Sequence, residues 1–75
     1  MFNERLKKER NRKGYSGQKM ADMLFISLRH YQRYESGENS PTLEGLVKIA
    51  DILDVSTDYL LCRDEFIEMQ KAKNP

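Results

Sequence analysis

Arg29, Gln32 and Arg33 lie at helical spacing behind a serine, with Leu28 beside them. Guanidinium and amide groups form paired hydrogen bonds to base edges: arginine to guanine O6 and N7, glutamine to adenine N6 and N7. A leucine next to them can pack on a thymine methyl. Each good polar pair discriminates against the wrong base by roughly 1–3 kcal/mol. That chemistry requires all these side chains on one exposed side of a rigid helix, because the major groove admits a helix.

The flanking sequence supplies such a helix and its supports. Ser27 is placed to cap it, and Ser36-Gly37 closes it, Gly37 being free to take positive φ. Tyr31, Tyr34 and Glu35 face away from the polar side. Both tyrosines are read as core and rim packing, since duplex DNA offers no unstacked base. Upstream, Ser16 caps a helix in which Met20, Ala21 and Leu24 recur at buried spacing. Ala21 is small enough for another helix to cross closely. Phe25-Ile26 forms the corner, with Ile26 directed inward. Residues 3–13 form the first helix: Asn3 as N-cap, Glu4 at the positive end of the dipole, Phe2 and Leu6 on one face, and Gly14 as a left-handed stop.

Downstream, residues 38–41 form a loop. Ser40 is expected to cap a fourth helix with Pro41 at its first position. Leu43, Leu46, Val47, Ala50 and Leu53 form its expected buried stripe, with Ile49 at the margin. After Asp54-Val55, Ser56 caps a fifth helix running from Thr57 to about Cys62, with Asp58 in its first turn and Tyr59 and Leu60 facing the core. No segment alternates with period two, so the fold class is all-α. The domain is expected over residues 1–62. In the tail, 63–75, Phe66, Ile67 and Met69 are apolar. The tail either continues the last helix and offers an apolar surface to a second subunit, or frays.

The chain has 75 residues, enough for one domain with one modest core and no second domain. No apolar run approaches the roughly 20 residues that cross a bilayer. The basic start, MFNERLKKER, has no apolar stretch behind it and is not a signal peptide. Cys62 has no intrachain cysteine partner, which suits a reducing cytosol, and a cytoplasmic location is expected. One cysteine beside one histidine is no metal set. No nucleophile–base pair is present, so neither an enzyme nor a cofactor is expected. Net charge is +1, but residues 1–35 hold nine Lys/Arg against four acids, and residues 36–75 hold four against eight. A polyanion would be drawn to one half and repelled by the other, which orients docking.

Several ordered motifs resemble the lambda-repressor-like, Xre-type helix-turn-helix family, from about Arg5 to Leu61. They are Arg5-Leu6 and Lys13-Gly14, then Ser16, Met20-Ala21 and Leu24, then Ile26-Ser27 at the corner. Arg33-Tyr34-Glu35 with Gly37, Pro41-Thr42-Leu43-Glu44, Lys48-Ile49-Ala50 and Val55 to Leu61 complete the set. The resemblance implies a five-helix domain whose reading helix is Ser27–Ser36. It implies base contacts from Leu28, Arg29 and Arg33, with Gln32 a further candidate. It also implies phosphate contacts from Ser16, Ser27 and Ser36 and from the second helix's N-terminus. His30 and Asn39 are placed on the phosphate side as well. Arg10 and Glu35 resemble the family's internal ion pair, a role favoured over a phosphate contact for Arg10. Lys7, Lys8, Arg12 and Lys13 are read as solvated charges.

The sequence departs from the family at three places. Gly17 replaces the usual glutamine after the second helix's cap, leaving Gln18 to reach phosphate. Phe25 replaces the corner glycine. Glu38-Asn39 stands where a basic loop residue is common. These changes predict modest affinity per monomer and steep loss with salt. A homodimer on an inverted repeat is therefore expected, joined through Tyr59, Phe66, Ile67 and Met69. The expected function is a transcriptional regulator, most simply a repressor, binding double-stranded DNA. With no segment left for a sensor, control would come from abundance, operator affinity or a partner. The alternatives are an antitoxin-like protein of the same fold that binds a toxin, and a helical interaction module that has lost DNA binding.

Overall fold

The computed structural model describes residues 1–63. Among them the chain forms α1 (Phe2–Lys13), α2 (Gly17–Leu24), α3 (Leu28–Ser36), α4 (Leu43–Leu53) and α5 (Thr57–Leu60), and no strand. α2 packs on α3 and α4, while α1 packs on α3, α4 and α5. Leu6, Met20, Ile49, Leu53 and Leu60 are fully buried at the centre, and Ala21 lies there with no exposure. Tyr31 and Tyr34 bring α3 into the same core.

Three of the four corners are built the same way. α1, α2 and α4 end on left-handed residues: Gly14 at φ 75, Phe25 at φ 58 and Asp54 at φ 56. The next amide then reaches back to a carbonyl in the helix's last turn: Tyr15 to Arg10 at 3.1 Å, Ile26 to Ala21 at 3.0 Å, Val55 to Ala50 at 3.0 Å. This is the Schellman arrangement, and the apolar residue that donates packs against the core in each case. A serine follows directly and caps the next helix. The Oγ atoms of Ser16, Ser27 and Ser56 accept from the amides of Lys19, His30 and Tyr59, each at 3.0 Å. A stop, an apolar anchor and a start thus occupy consecutive residues, which leaves the angle between helices little freedom.

The structure corrects the sequence reading at the start of α1, along α4 and at the end of α5. α1 begins at Phe2 with Met1 at its N-cap and no side-chain cap. Asn3 instead lies beside the turn after α3, where its Nδ2 would stand 3.4 Å from a Cβ on Gly37. Thr42, not Ser40, caps α4: its Oγ1 accepts from the Gly45 amide at 3.2 Å, and the helix starts at Leu43 rather than Pro41. That start rotates the stripe. Ile49 is fully buried with Leu46, Ala50 and Leu53, while Leu43 and Val47 are exposed. α5 ends at Leu60, short of Cys62. Phe66, Ile67 and Met69 lie outside the described residues.

Candidate nucleic-acid interface

α3 has two faces with opposite duties. Its inner face is held by a network centred on Glu35. Arg10 donates to both carboxylate oxygens, from Nε at 2.6 Å and from Nη2 at 3.1 Å, and its Nη1 donates to the Tyr15 carbonyl at 2.9 Å. The Tyr31 hydroxyl donates to the same Glu35 carboxylate. Arg10 and Glu35 side chains are 15% and 14% exposed, so the pair is largely withdrawn from water. The hydrogen bonds to Glu35 hold the Arg10 pKa above the ordinary arginine value against the opposing cost of burial. Burial, and then the Glu35 hydrogen bond, push the Tyr31 phenol far above the ordinary tyrosine value. One residue of α1 thereby fixes the helix rotation of α3 and also ties down the exit from α1.

The outer face carries Arg29, Gln32, Arg33 and Ser36, which line one shallow hollow together with Glu38. Arg29, Gln32 and Ser36 are exposed and Arg33 is half-buried. Leu28 is only half-exposed: a Cβ on Gly17 would sit 3.4 Å from its Cδ1 and 3.8 Å from the Tyr31 ring. Leu28 thus leans toward the start of α2, at about contact distance from where a side chain on residue 17 would begin. Because the first amides of a helix have no partner within it, the capped starts of α2 and α3 present N–H groups suited to phosphate.

The residues read as phosphate contacts differ in how far their side chains are engaged. Ser16 and Ser27 accept cap bonds, which leave their hydroxyl hydrogens for an anion. Gln18 donates to Asp22 Oδ1 at 2.8 Å. His30 Nε2 is bonded to the Tyr34 hydroxyl at 2.9 Å, with the rings edge to face. Ser36 Oγ donates to the Arg33 carbonyl at 3.1 Å and accepts from the Glu38 amide at 3.4 Å. Asn39 is exposed, and its backbone amide donates to the Arg33 carbonyl at 3.2 Å.

Sequence reasoning missed a second polar knot between α1 and α5. Glu9 is 5% exposed, beside Leu6 on the buried face of α1. It accepts from Arg12 Nε at 2.5 Å and from the Tyr59 hydroxyl at 3.0 Å. The Arg12 hydrogen bond lowers its pKa, burial opposes this, and the Tyr59 bond adds to the lowering. Arg5 Nη1 donates to the Tyr59 carbonyl at 2.6 Å, and its guanidinium lies 4.4 Å from the ring centroid. Tyr59, expected at a subunit contact, is half-buried and holds α5 to α1. The readable signal was the spacing of Phe2, Leu6 and Glu9, which sets an acid on an apolar face.

Phe25 is 90% exposed at the corner. Among the described residues no helix is long and apolar enough to cross a membrane, and no cluster of acids, histidines or cysteines could hold a metal.

The helix-turn-helix family model matches residues 6–60. The chain belongs to the Xre-type, lambda-repressor-like helix-turn-helix family. It is 56% identical over 61 residues to the SPbeta prophage-derived uncharacterized HTH-type transcriptional regulator YonR of Bacillus subtilis, covering 81% of this chain and 56% of that one. It is 50% identical over 60 residues to the cryptic phage CTXphi transcriptional repressor RstR of Vibrio cholerae, covering 80% and 54%. The chain thus spans about half the length of the curated relatives it matches. Among solved structures, the biofilm master regulator SinR in complex with DNA superposes with a TM-score of 0.74 at 31% identity, covering 81% of this chain and 98% of that chain. The SinR–SinI complex gives 0.73 at 25%, covering 97% of both.

Proposed function

We propose that this Xre-type domain binds double-stranded DNA sequence-specifically through α3 and regulates transcription, most simply as a repressor. The supporting observation is the outer face of α3. Arg29, Gln32 and Arg33 share one open hollow, while the opposite face is locked to the core through Tyr31, Tyr34 and Glu35. Arg29 and Arg33 take guanine edges, Gln32 an adenine edge, and half-exposed Leu28 a thymine methyl. Ser16, Gln18, Ser27, His30 and Asn39 face the flanking phosphates, where their donors and the helix amides set register without reading sequence; Ser36 lies beside them with its hydroxyl hydrogen given to the Arg33 carbonyl. The relatives named as a regulator and a repressor, and the solved SinR–DNA complex, point the same way.

One reading helix covers few base pairs, so two copies on an inverted repeat, with half-sites about 34 Å apart, complete the site. Fluorescence anisotropy on the DNA upstream of the protein's own gene tests the reading. Saturable binding that steepens with falling salt, and outcompetes a shuffled duplex, supports it. Equal binding to both duplexes refutes it. Sedimentation with and without that duplex tests the dimer, and a monomer on DNA refutes it.

A second reading rests on Phe25, a strained and almost fully exposed aromatic, and on SinR having been solved with a protein partner. In it the domain is antitoxin-like and binds a toxin through that corner. Co-purification of one stoichiometric partner, lost on Phe25→Asp, would favour it over the first.

A further inference from the structure

We infer that Glu38 is a specificity-determining residue: it orients Arg33 toward a guanine edge and penalises contacts made to phosphate alone. The inference rests on the DNA-reading role of α3. Its basis is the turn that closes that helix. Gly37 adopts φ 85, a conformation suited to glycine, and folds the chain back over the last turn. Ser36 Oγ bridges the Arg33 carbonyl and the Glu38 amide, and the Asn39 amide bonds the same carbonyl at 3.2 Å. So fixed, the turn brings a carboxylate into the hollow formed by Arg29, Gln32, Arg33 and Ser36. Glu38 Oε2 lies 3.9 Å from Arg33 Nε.

Approach at Nε leaves both terminal nitrogens of Arg33, the pair that can bridge guanine O6 and N7. Both side chains are substantially exposed, at 43% and 69%, so the attraction biases the guanidinium rather than locking it. The charge has a second effect. Non-specific binding depends on phosphate attraction, and a carboxylate on the reading face weakens it directly. A duplex with guanine opposite Arg33 recovers part of that loss through the oriented fork, whereas a duplex without it does not. Discrimination arises from the penalty on the wrong duplex as much as from the contact to the right one.

The test uses the full chain as wild type, Glu38→Gln and Arg33→Ala, each selected against a library of randomised duplexes. The wild-type consensus and a shuffled duplex are then titrated by anisotropy at several salt concentrations. Glu38→Gln is expected to bind the shuffled duplex about two- to fivefold more tightly, in line with one exposed pair. It should gain less on the consensus, so the specificity ratio falls. Its own selection should show weaker guanine preference at the position that Arg33→Ala abolishes. An equal gain on both duplexes, or an unchanged preference at that position, overturns the inference. Failure of the wild type to select any sequence overturns the reading role of α3, and this inference with it. Unchanged thermal melting of Glu38→Gln shows that the comparison is made between folded proteins.

Discussion

The two faces of α3 treat arginine in opposite ways. On the inner side, Arg10 of α1 is 15% exposed and fully committed: its guanidinium bonds both oxygens of Glu35 and one backbone carbonyl. On the outer side, Arg33 is half-exposed and faces Glu38 at 3.9 Å. The same functional group is a structural rivet where water is largely excluded and a loosely held charge where it is not. In a largely dry site, losing one partner leaves an uncompensated charge, whereas an exposed pair contributes little to stability. The helix therefore separates into a half that cannot be altered without harming the fold and a half whose side chains can be altered with little harm to it.

The largest effect expected from breaking this contrast is on the inner face. Glu35→Gln removes the negative charge and leaves Arg10 facing neutral partners, at a cost of about 3 kcal/mol. For a domain of this size that lowers the melting temperature by more than 10 °C, at roughly 4–8 °C per kcal/mol. Differential scanning calorimetry measures it, and a shift of only a degree or two would show that the network is dispensable. Next come Arg29→Ala and Arg33→Ala on the outer face. Each should weaken binding to a selected duplex by about 1–3 kcal/mol and relax preference at one position. Each should change unfolding free energy by less than about 0.5 kcal/mol, as surface substitutions do. Parallel anisotropy and denaturant titrations separate the two quantities. A melting loss comparable to that of Glu35→Gln would erase the distinction between the faces.

The legibility of the sequence follows the same divide between local and remote causes. The corners were legible because their determinants are adjacent: Gly14, Tyr15 and Ser16 stop, anchor and restart the chain within consecutive residues. The buried spacing of Met20, Ala21 and Leu24 was likewise legible, as was the polar side of α3. The rotation of α4 was not. Ser40 and Thr42 are both competent caps, and Leu43, Val47 and Ile49 offer two overlapping stripes. Packing against α1, α2 and α5 selects the one containing Ile49. Glu9 was missed for a related reason: its Tyr59 partner lies 50 positions away, on an element too short to announce its orientation. The carboxylate in the outer hollow of α3 depends on a turn whose bonds run from side chain to backbone, and spacing does not reveal them.

Phe25 sharpens the contrast at the point where α2 hands over to α3. Its neighbour Ile26 is packed on the core, but Phe25 itself is 90% exposed and held at φ 58. A left-handed conformation costs a non-glycine residue roughly 1–2 kcal/mol. Little burial offsets it here. Phe25→Gly should therefore stabilise the fold by about 0.5–1 kcal/mol, part of the relief being returned to the more flexible unfolded chain. Urea denaturation would register it as a higher midpoint at unchanged slope. Destabilisation would mean that the ring packs in solution on something that shields it.

The smallest effect concerns the second polar knot and acts through pH. Glu9 has its pKa lowered from 4.5, first by the Arg12 hydrogen bond, with burial opposing and Tyr59 assisting. A carboxyl whose folded pKa lies below its unfolded one contributes stability above the unfolded value. That contribution fades as pH falls through the folded value. The excess stability of wild type over Glu9→Gln should therefore be present at pH 7 and diminish from about pH 4.5 downward. Denaturant midpoints of wild type and Glu9→Gln across that range would register a knot that acid loosens. If the difference between wild type and Glu9→Gln grew on acidification, burial rather than hydrogen bonding would govern Glu9, and its pKa would be raised instead of lowered.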